Sequence, residues 1–136
     1  MNQEQHHQPI NEVQNLYFEL LKRVNYNCLD GECVARNLLE WRHLWYSVIA
    51  ERLLYLSGQK DTLPIDISLL KAARWNDWPV DILYIWTNEE NLPKLRRLIE
   101  EHWEADEIGM LTPEDEEMRM ANLSDPDNRV LYVWWD

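Results

Sequence analysis

The chain has 136 residues, of which 46% are apolar and 28% are charged, and its formal net charge is −12. This length and composition are typical of one globular domain that forms a core without disulfides or metal, and they exclude a disordered chain. The negative charge argues against direct binding to nucleic acid or to an anionic membrane, because both attract clustered cationic groups. No apolar stretch reaches the roughly 18 residues that a membrane helix needs.

The first nine residues are polar, and we predict that residues 1–9 form a disordered tail before a single α/β domain over residues 10–136. The tail lacks the basic start and apolar stretch of a secretory signal, so we expect a cytoplasmic protein. In that reducing compartment Cys28 and Cys33 should remain thiols with a structural role, since one Cys-x4-Cys pair supplies too few ligands for structural zinc.

Two amphipathic helices are predicted in the N-terminal half. Apolar residues recur at helical spacing over residues 10–24, which predicts a helix with one buried stripe. Asp30 and Gly31 can begin a second helix, and its apolar side predicts that it continues to about Tyr55. A short helix is also possible over residues 67–74.

The C-terminal half is predicted to alternate strands and helices. Short β-branched and aromatic runs predict strands at residues 80–86 and 130–135, with a weaker strand candidate at 107–111. Helical spacing over residues 92–103 and a capped start at Thr112 predict the helices between them. Since crossovers of this length join parallel strands, we expect an α/β fold: a small three-stranded, mostly parallel sheet covered by helices, including the two N-terminal ones. The alternative is an α+β fold with a mixed sheet, because periodicity does not fix the direction of a strand.

The negative charge is concentrated in the second half of the sequence. Residues 1–88 hold 11 acidic and 8 basic residues, a net charge of −3, whereas residues 89–136 hold 14 acidic and 5 basic residues, a net charge of −9. A basic protein is the electrostatic complement of such a surface. The other interpretation is a solvated face that keeps the protein soluble through self-repulsion.

No catalytic or cofactor-binding motif is present in the sequence. The three glycines form neither a dinucleotide-binding nor a phosphate-binding loop, and the Gly-x-Ser-x-Gly and His-Glu-x-x-His patterns are absent. We therefore expect no cofactor. The leading hypothesis is a non-enzymatic protein-interaction or regulatory domain that binds a basic partner protein, and no pattern indicates its oligomeric state.

The predicted parallel sheet places a binding site at the carboxyl ends of its strands, where ligands collect in such sheets. The candidate binding residues follow or end the predicted strands: Thr87, Asn88, Glu89, Thr112, Trp134 and Asp136. Three carboxylates, those of Glu89, Glu114 and Asp136, could hold Mg²⁺, and the alternative function is then a small metal-assisted hydrolase or phosphotransfer enzyme. Against this, residues of these types are favoured at helix starts for structural reasons alone.

Two further patterns are candidate sites. Glu40 and His43 lie on one polar stripe of the second predicted helix and could form a proton-transfer pair, although such a stripe is typical of a water-facing surface. Trp134 and Trp135 are adjacent in a predicted strand, so their side chains should point to opposite faces of the sheet. At least one of them then needs cover from a helix, a partner or a ligand.

Overall fold

A computed structural model describes residues 9–51, 78, 80–111 and 127–136. The elements, in chain order, are α1 (Glu12–Leu21), β1 (Asn25–Tyr26), β2 (Leu29–Asp30), α2 (Gly31–Glu40), a 3-10 turn (Arg42–Leu44), β3 (Ser47–Glu51), β4 (Ile82–Asn88), α3 (Leu92–His102), β5 (Glu107–Met110) and β6 (Asn128–Trp134). The helices predicted over residues 67–74 and from Thr112 onward lie outside the described residues. The strands predicted at 80–86, 107–111 and 130–135 and the helix predicted at 92–103 are confirmed as β4, β5, β6 and α3, with bounds that differ by up to two residues.

The main sheet has four strands in the order β3–β4–β6–β5, and every pairing described in it is antiparallel. The predicted three-stranded, mostly parallel sheet is therefore wrong, and a mixed sheet is not found among the described strands either. β4 and β5 do run in the same direction and are joined through α3, as a crossover requires. However, β6 lies between them and pairs with both in the opposite direction. The order of the elements in the sequence indicated the crossover from β4 through α3 to β5. The insertion of β6 between β4 and β5 depends on long-range contacts, which periodicity does not encode.

The second helix, α2, is shorter than predicted. It begins after Asp30, whose side chain accepts a backbone hydrogen bond from the first turn at 3.2 Å, as expected of an N-cap. It ends at Glu40 rather than near Tyr55, and β3 follows on the edge of the sheet. Val48 and Ile49 are β-branched, so pairing with β4 suits them better than another helical turn.

The first helix, α1, lies within the predicted range, but only part of its predicted apolar stripe is buried. Asn11 and Gln14 form a capping box in which each side chain accepts the other's backbone N–H, at 3.0 and 2.8 Å. Phe18 and Leu21 are buried in the core. Several apolar residues of the predicted buried stripe are instead exposed: Val13 (75%), Leu16 (63%) and Leu20 (45%).

The three described helices contribute to a core on one face of the main sheet. The fully buried aliphatic side chains include, from the strands, Leu83, Ile85, Leu131 and Val133 and, from the helices, Leu21, Leu38, Leu95 and Ile99. Burying one side chain of this size stabilises the fold by about 1.5–3 kcal/mol. A smaller buried cluster on β4 and β6 contains Ile82, Tyr84 and Val130. Trp135 belongs to the first cluster and Trp134 packs against the second, which confirms that they point to opposite faces.

Tyr17 connects α1 to β3. The Ala50 N–H donates a hydrogen bond to the Tyr17 hydroxyl at 2.6 Å, and the Tyr17 ring meets Trp78 edge-on at a centroid distance of 5.8 Å. Tyr17→Phe removes the acceptor of a partly buried backbone N–H, so it should lower the free energy of unfolding by about 1–3 kcal/mol. Urea unfolding at neutral pH measures this loss.

The effect of Tyr17→Phe should also depend on pH. Burial raises the pKa of the Tyr17 hydroxyl above its usual value, because desolvation penalises the phenolate. The corresponding stability is therefore fully present below the unfolded pKa of about 10, and it is lost as the pH rises through the folded pKa. The difference in unfolding free energy between the native protein and Tyr17→Phe should shrink above about pH 10. If the difference in unfolding free energy stayed constant above about pH 10, this role of the buried hydroxyl would be contradicted.

Candidate functional site

The antiparallel pairing divides the predicted binding residues between two ends of the sheet. Asn88 lies opposite Asn128 at one end, whereas Trp134 ends β6 at the other. Glu89 therefore follows the first end and Asp136 lies beyond the second. Six residue steps of about 3.4 Å separate these ends by roughly 20 Å. Glu89 and Asp136 are too far apart to hold one metal ion, and the shared crevice expected from parallel strands does not form.

The predicted residues at the end of β4 make structural contacts. The Thr87 hydroxyl is buried and donates to a backbone carbonyl of the 3-10 turn at 2.6 Å. Oδ1 of Asn88 accepts the Asn91 N–H at 2.8 Å and so orients the start of α3. Glu89 forms an ion pair with Arg129 of β6. Each of these side chains holds a strand end or a helix start in place.

The remaining predicted site residues either lie outside the described residues or are separated in the fold. Thr112 and Glu114 lie outside the described residues. Within the described ranges, no group of three His, Cys, Asp or Glu side chains is arranged to hold a metal ion. Glu40 ends α2 and His43 lies in the 3-10 turn, so the two side chains do not share one helix. The continuous helical stripe is therefore interrupted.

The other end of the sheet brings distant parts of the chain together. The Asp136 N–H donates to Oδ2 of Asp106 at 2.7 Å, and the Asp106 N–H donates to the Trp134 carbonyl at 2.9 Å. The β1–β2 hairpin is tied to the same place, because Nδ2 of Asn27 donates to the Trp135 carbonyl at 3.2 Å. Asn27 has a φ of 55° in the hairpin turn, a left-handed conformation that asparagine tolerates better than most residues. The turn is thus held beside the end of β6.

A cavity of about 290 Å³ opens where the hairpin, α2 and the end of α3 meet. Its lining residues are Cys28, Asp30, Cys33, Val34, His102, Trp103, Glu104 and Trp135. Asp30 and Glu104 are exposed, whereas the Trp103 and Trp135 indoles are buried, with ring centroids 5.9 Å apart. Both cysteines are free thiols. The cavity therefore combines two carboxylates with two indoles and one imidazole.

Two exposed carboxylates line this cavity, Asp30 and Glu104, and three more lie at the same end of the sheet. We call the five together the acidic end: Asp30, Glu104, Asp106, Glu107 and Asp136. Their described hydrogen bonds come from neutral donors, such as the Cys33 N–H to Asp30 and the Tyr132 hydroxyl to Glu107 at 3.0 Å. The ion pairs of the described chain involve other carboxylates. Within the part of the chain that is described, no Lys or Arg neutralises the acidic end, so its negative potential faces solvent.

No family model, curated protein or solved structure matched the chain. Among the described residues, no helix is long and apolar enough to cross a membrane.

Sequence reasoning found only part of the acidic end. The charge imbalance pointed to the C-terminal half, and Asp136 was among the candidate binding residues. The local sequence around Asp30 indicates only a helix cap, because nothing local shows that the hairpin places it beside Glu104. The Asn27-Cys28 dipeptide between two short extended segments was the one local signal of that hairpin.

Proposed function

We propose that the protein is a non-enzymatic interaction domain that binds a basic partner protein, and that the acidic end receives a Lys or Arg side chain of that partner. The observation that carries this proposal is the placement of Asp30 and Glu104 on one cavity, with no described Lys or Arg beside them. We place the interaction in the cytoplasm, where Cys28 and Cys33 would stay reduced.

A long cationic side chain fits the chemistry of this cavity. Its charged head can pair with Asp30 and Glu104 at the exposed rim, while its methylene stem packs against the apolar wall. The indoles of Trp103 and Trp135 add an attraction for a cation that comes close to a ring. A volume of about 290 Å³ is at the lower limit of small-molecule sites, which suits one inserted side chain.

The strength of the interaction should come from several carboxylates acting together. One exposed ion pair contributes only about 0–1 kcal/mol, so Asp30 or Glu104 alone would give weak binding. The remaining acids, Asp106, Glu107 and Asp136, add a field that attracts the partner over longer distances. Since that field is screened within about 8 Å at physiological ionic strength, binding should weaken as salt is added.

Neutralising the two cavity carboxylates tests the proposal. We expect Asp30→Asn/Glu104→Gln to weaken binding of a basic peptide about tenfold, through the loss of two ion pairs. Asparagine is as good an N-cap as aspartate, so α2 should keep its start. The probe is a peptide library with Lys or Arg fixed at one position and random neighbours, and binding is measured by titration calorimetry at low and high salt.

The matched control is Glu40→Gln/Glu90→Gln, which makes the same change in net charge at exposed sites away from the cavity. We expect it to change the affinity by less than about twofold. An equal loss in both double variants would show a general charge attraction without a defined site. No salt-sensitive binding of either the Lys or the Arg library to the native protein would contradict the proposed function.

A further inference from the structure

A second cavity, of about 260 Å³, lies between α1, the 3-10 turn and the start of β3. It shares no lining residue with the acidic end. Its walls are mainly apolar and include Ile10, Val13, Phe18, Trp45 and Val48. Among its lining residues only Arg42 carries a formal charge. The cavity therefore presents one cation within an apolar and aromatic surface.

Arg42 is fixed in place by Trp45. The guanidinium carbon lies 4.4 Å from the centroid of the indole, and Nη1 donates to the Trp45 carbonyl at 2.6 Å. A guanidinium has five N–H donors, and Nε of Arg42 is buried without an acceptor in the described structure. No carboxylate of the described chain pairs with this guanidinium. Burial lowers the pKa of Arg42 through desolvation, so an anion in the cavity would stabilise the charged form.

We infer that this cavity binds a small amphipathic carboxylic acid, with its carboxylate on the Arg42 guanidinium and its apolar body against Phe18, Trp45 and Val48. The planar fork of an arginine matches a carboxylate with two parallel hydrogen bonds. A single cation suits a monoanion better than a phosphate dianion, which needs more donors. This inference is independent of the proposed function, because it uses a different cavity and a ligand of opposite charge.

The surface beside the cavity favours an aliphatic ligand. Val13 lines the cavity and is 75% exposed, and Leu16 lies one helical turn further along the same face of α1. An alkyl chain that extends beyond the cavity can therefore lie along these two side chains and remove their apolar surface from water. Octanoate has this combination of one carboxylate and a short alkyl chain, and 1-octanol is its uncharged counterpart.

The test compares octanoate with 1-octanol by titration calorimetry and follows the Ser47 and Val48 amide signals by NMR. We expect saturable binding of octanoate that shifts both amides, and roughly tenfold weaker binding of 1-octanol. Arg42→Met should reduce the affinity for octanoate to that for 1-octanol. Arg36→Met, which removes an exposed arginine of α2, should leave octanoate binding unchanged.

Three results would overturn the inference: equal affinity of the native protein for octanoate and 1-octanol, octanoate binding that survives Arg42→Met, or NMR shifts that spare Ser47 and Val48. If Arg42→Met does not fold, Arg42→Lys is the second variant. It keeps the charge and the aliphatic part of the side chain but cannot form two parallel hydrogen bonds to a carboxylate. It should then bind octanoate several-fold more weakly than the native protein does. The comparison of acid and alcohol needs no variant, so the native protein alone can also decide.

Discussion

Gly31→Ala is expected to lower the free energy of unfolding by about 3 kcal/mol or more, which is the upper range for overpacking. Gly31 begins α2 directly against the end of α1, and its N–H donates to the Val24 carbonyl at 2.9 Å. An added Cβ would lie 2.7 Å from that carbonyl oxygen and 2.9 Å from the Val24 nitrogen, and closer still to the Leu21 carbonyl oxygen. All three atoms belong to the backbone, so no side-chain rotation relieves the overlap.

The helix-forming advantage of alanine does not offset this overlap. Replacing glycine by alanine within a helix gains only about 1 kcal/mol, less than the expected loss. The measurement is urea unfolding followed by tryptophan fluorescence. Glu32→Ala, at the next and exposed position of α2, is the control and should change stability by less than about 0.5 kcal/mol. A Gly31→Ala protein as stable as the native one would contradict the close contact of α1 and α2.

Trp135→Ala should lower the free energy of unfolding by about 3–5 kcal/mol. Trp135 is 1% exposed and has the largest fully buried side chain among the described residues, and its indole packs against Trp103. Truncation to alanine removes the apolar burial and leaves a void that the surrounding core fills only in part. Since the free energy of unfolding of a domain is only about 5–15 kcal/mol, this single substitution should remove much of it.

Leu16→Ala is the matched control for Trp135→Ala. It also shortens a large apolar side chain, but Leu16 is 63% exposed, so the loss should stay within about 0.5 kcal/mol. Both variants are measured by urea unfolding, with the dependence on denaturant compared to confirm that the unfolding reaction is the same. A loss of less than about 1 kcal/mol for Trp135→Ala would show that its indole is not part of the core.

Local sequence signals predicted the separate elements well where local chemistry decides them. The β-branched and aromatic runs gave β4 and β6, and Asp30 began α2 as an N-cap. The end of α2 was missed because the helical spacing of apolar residues continues to Val48, whereas pairing with β4 makes Val48 and Ile49 part of a strand. Strand order was missed for the same reason, since it depends on residues far apart in the sequence.

The two cavities show the same limit for function. Net charge indicated the acidic half, but the cavity beside it needs the hairpin that holds Asp30 near Glu104. Arg42 was assigned no role from the sequence, because its importance comes from the apolar walls of α1 and β3 around it. Such a site has no local pattern: each of its residues is ordinary, and only their juxtaposition is informative.

The position of β6 in the sheet has a consequence for biosynthesis. A ribosome makes β4 and β5 before β6, yet β6 is the partner through which β5 joins the described sheet. Until β6 emerges, one edge of β4 and the whole of β5 are unpaired in the nascent chain. Unpaired strand edges of this kind can pair with other chains. The pairing of β4 with β6 is also slow, because many residues separate the two strands in the sequence. A chaperone that shields these segments during translation would protect the yield of this protein.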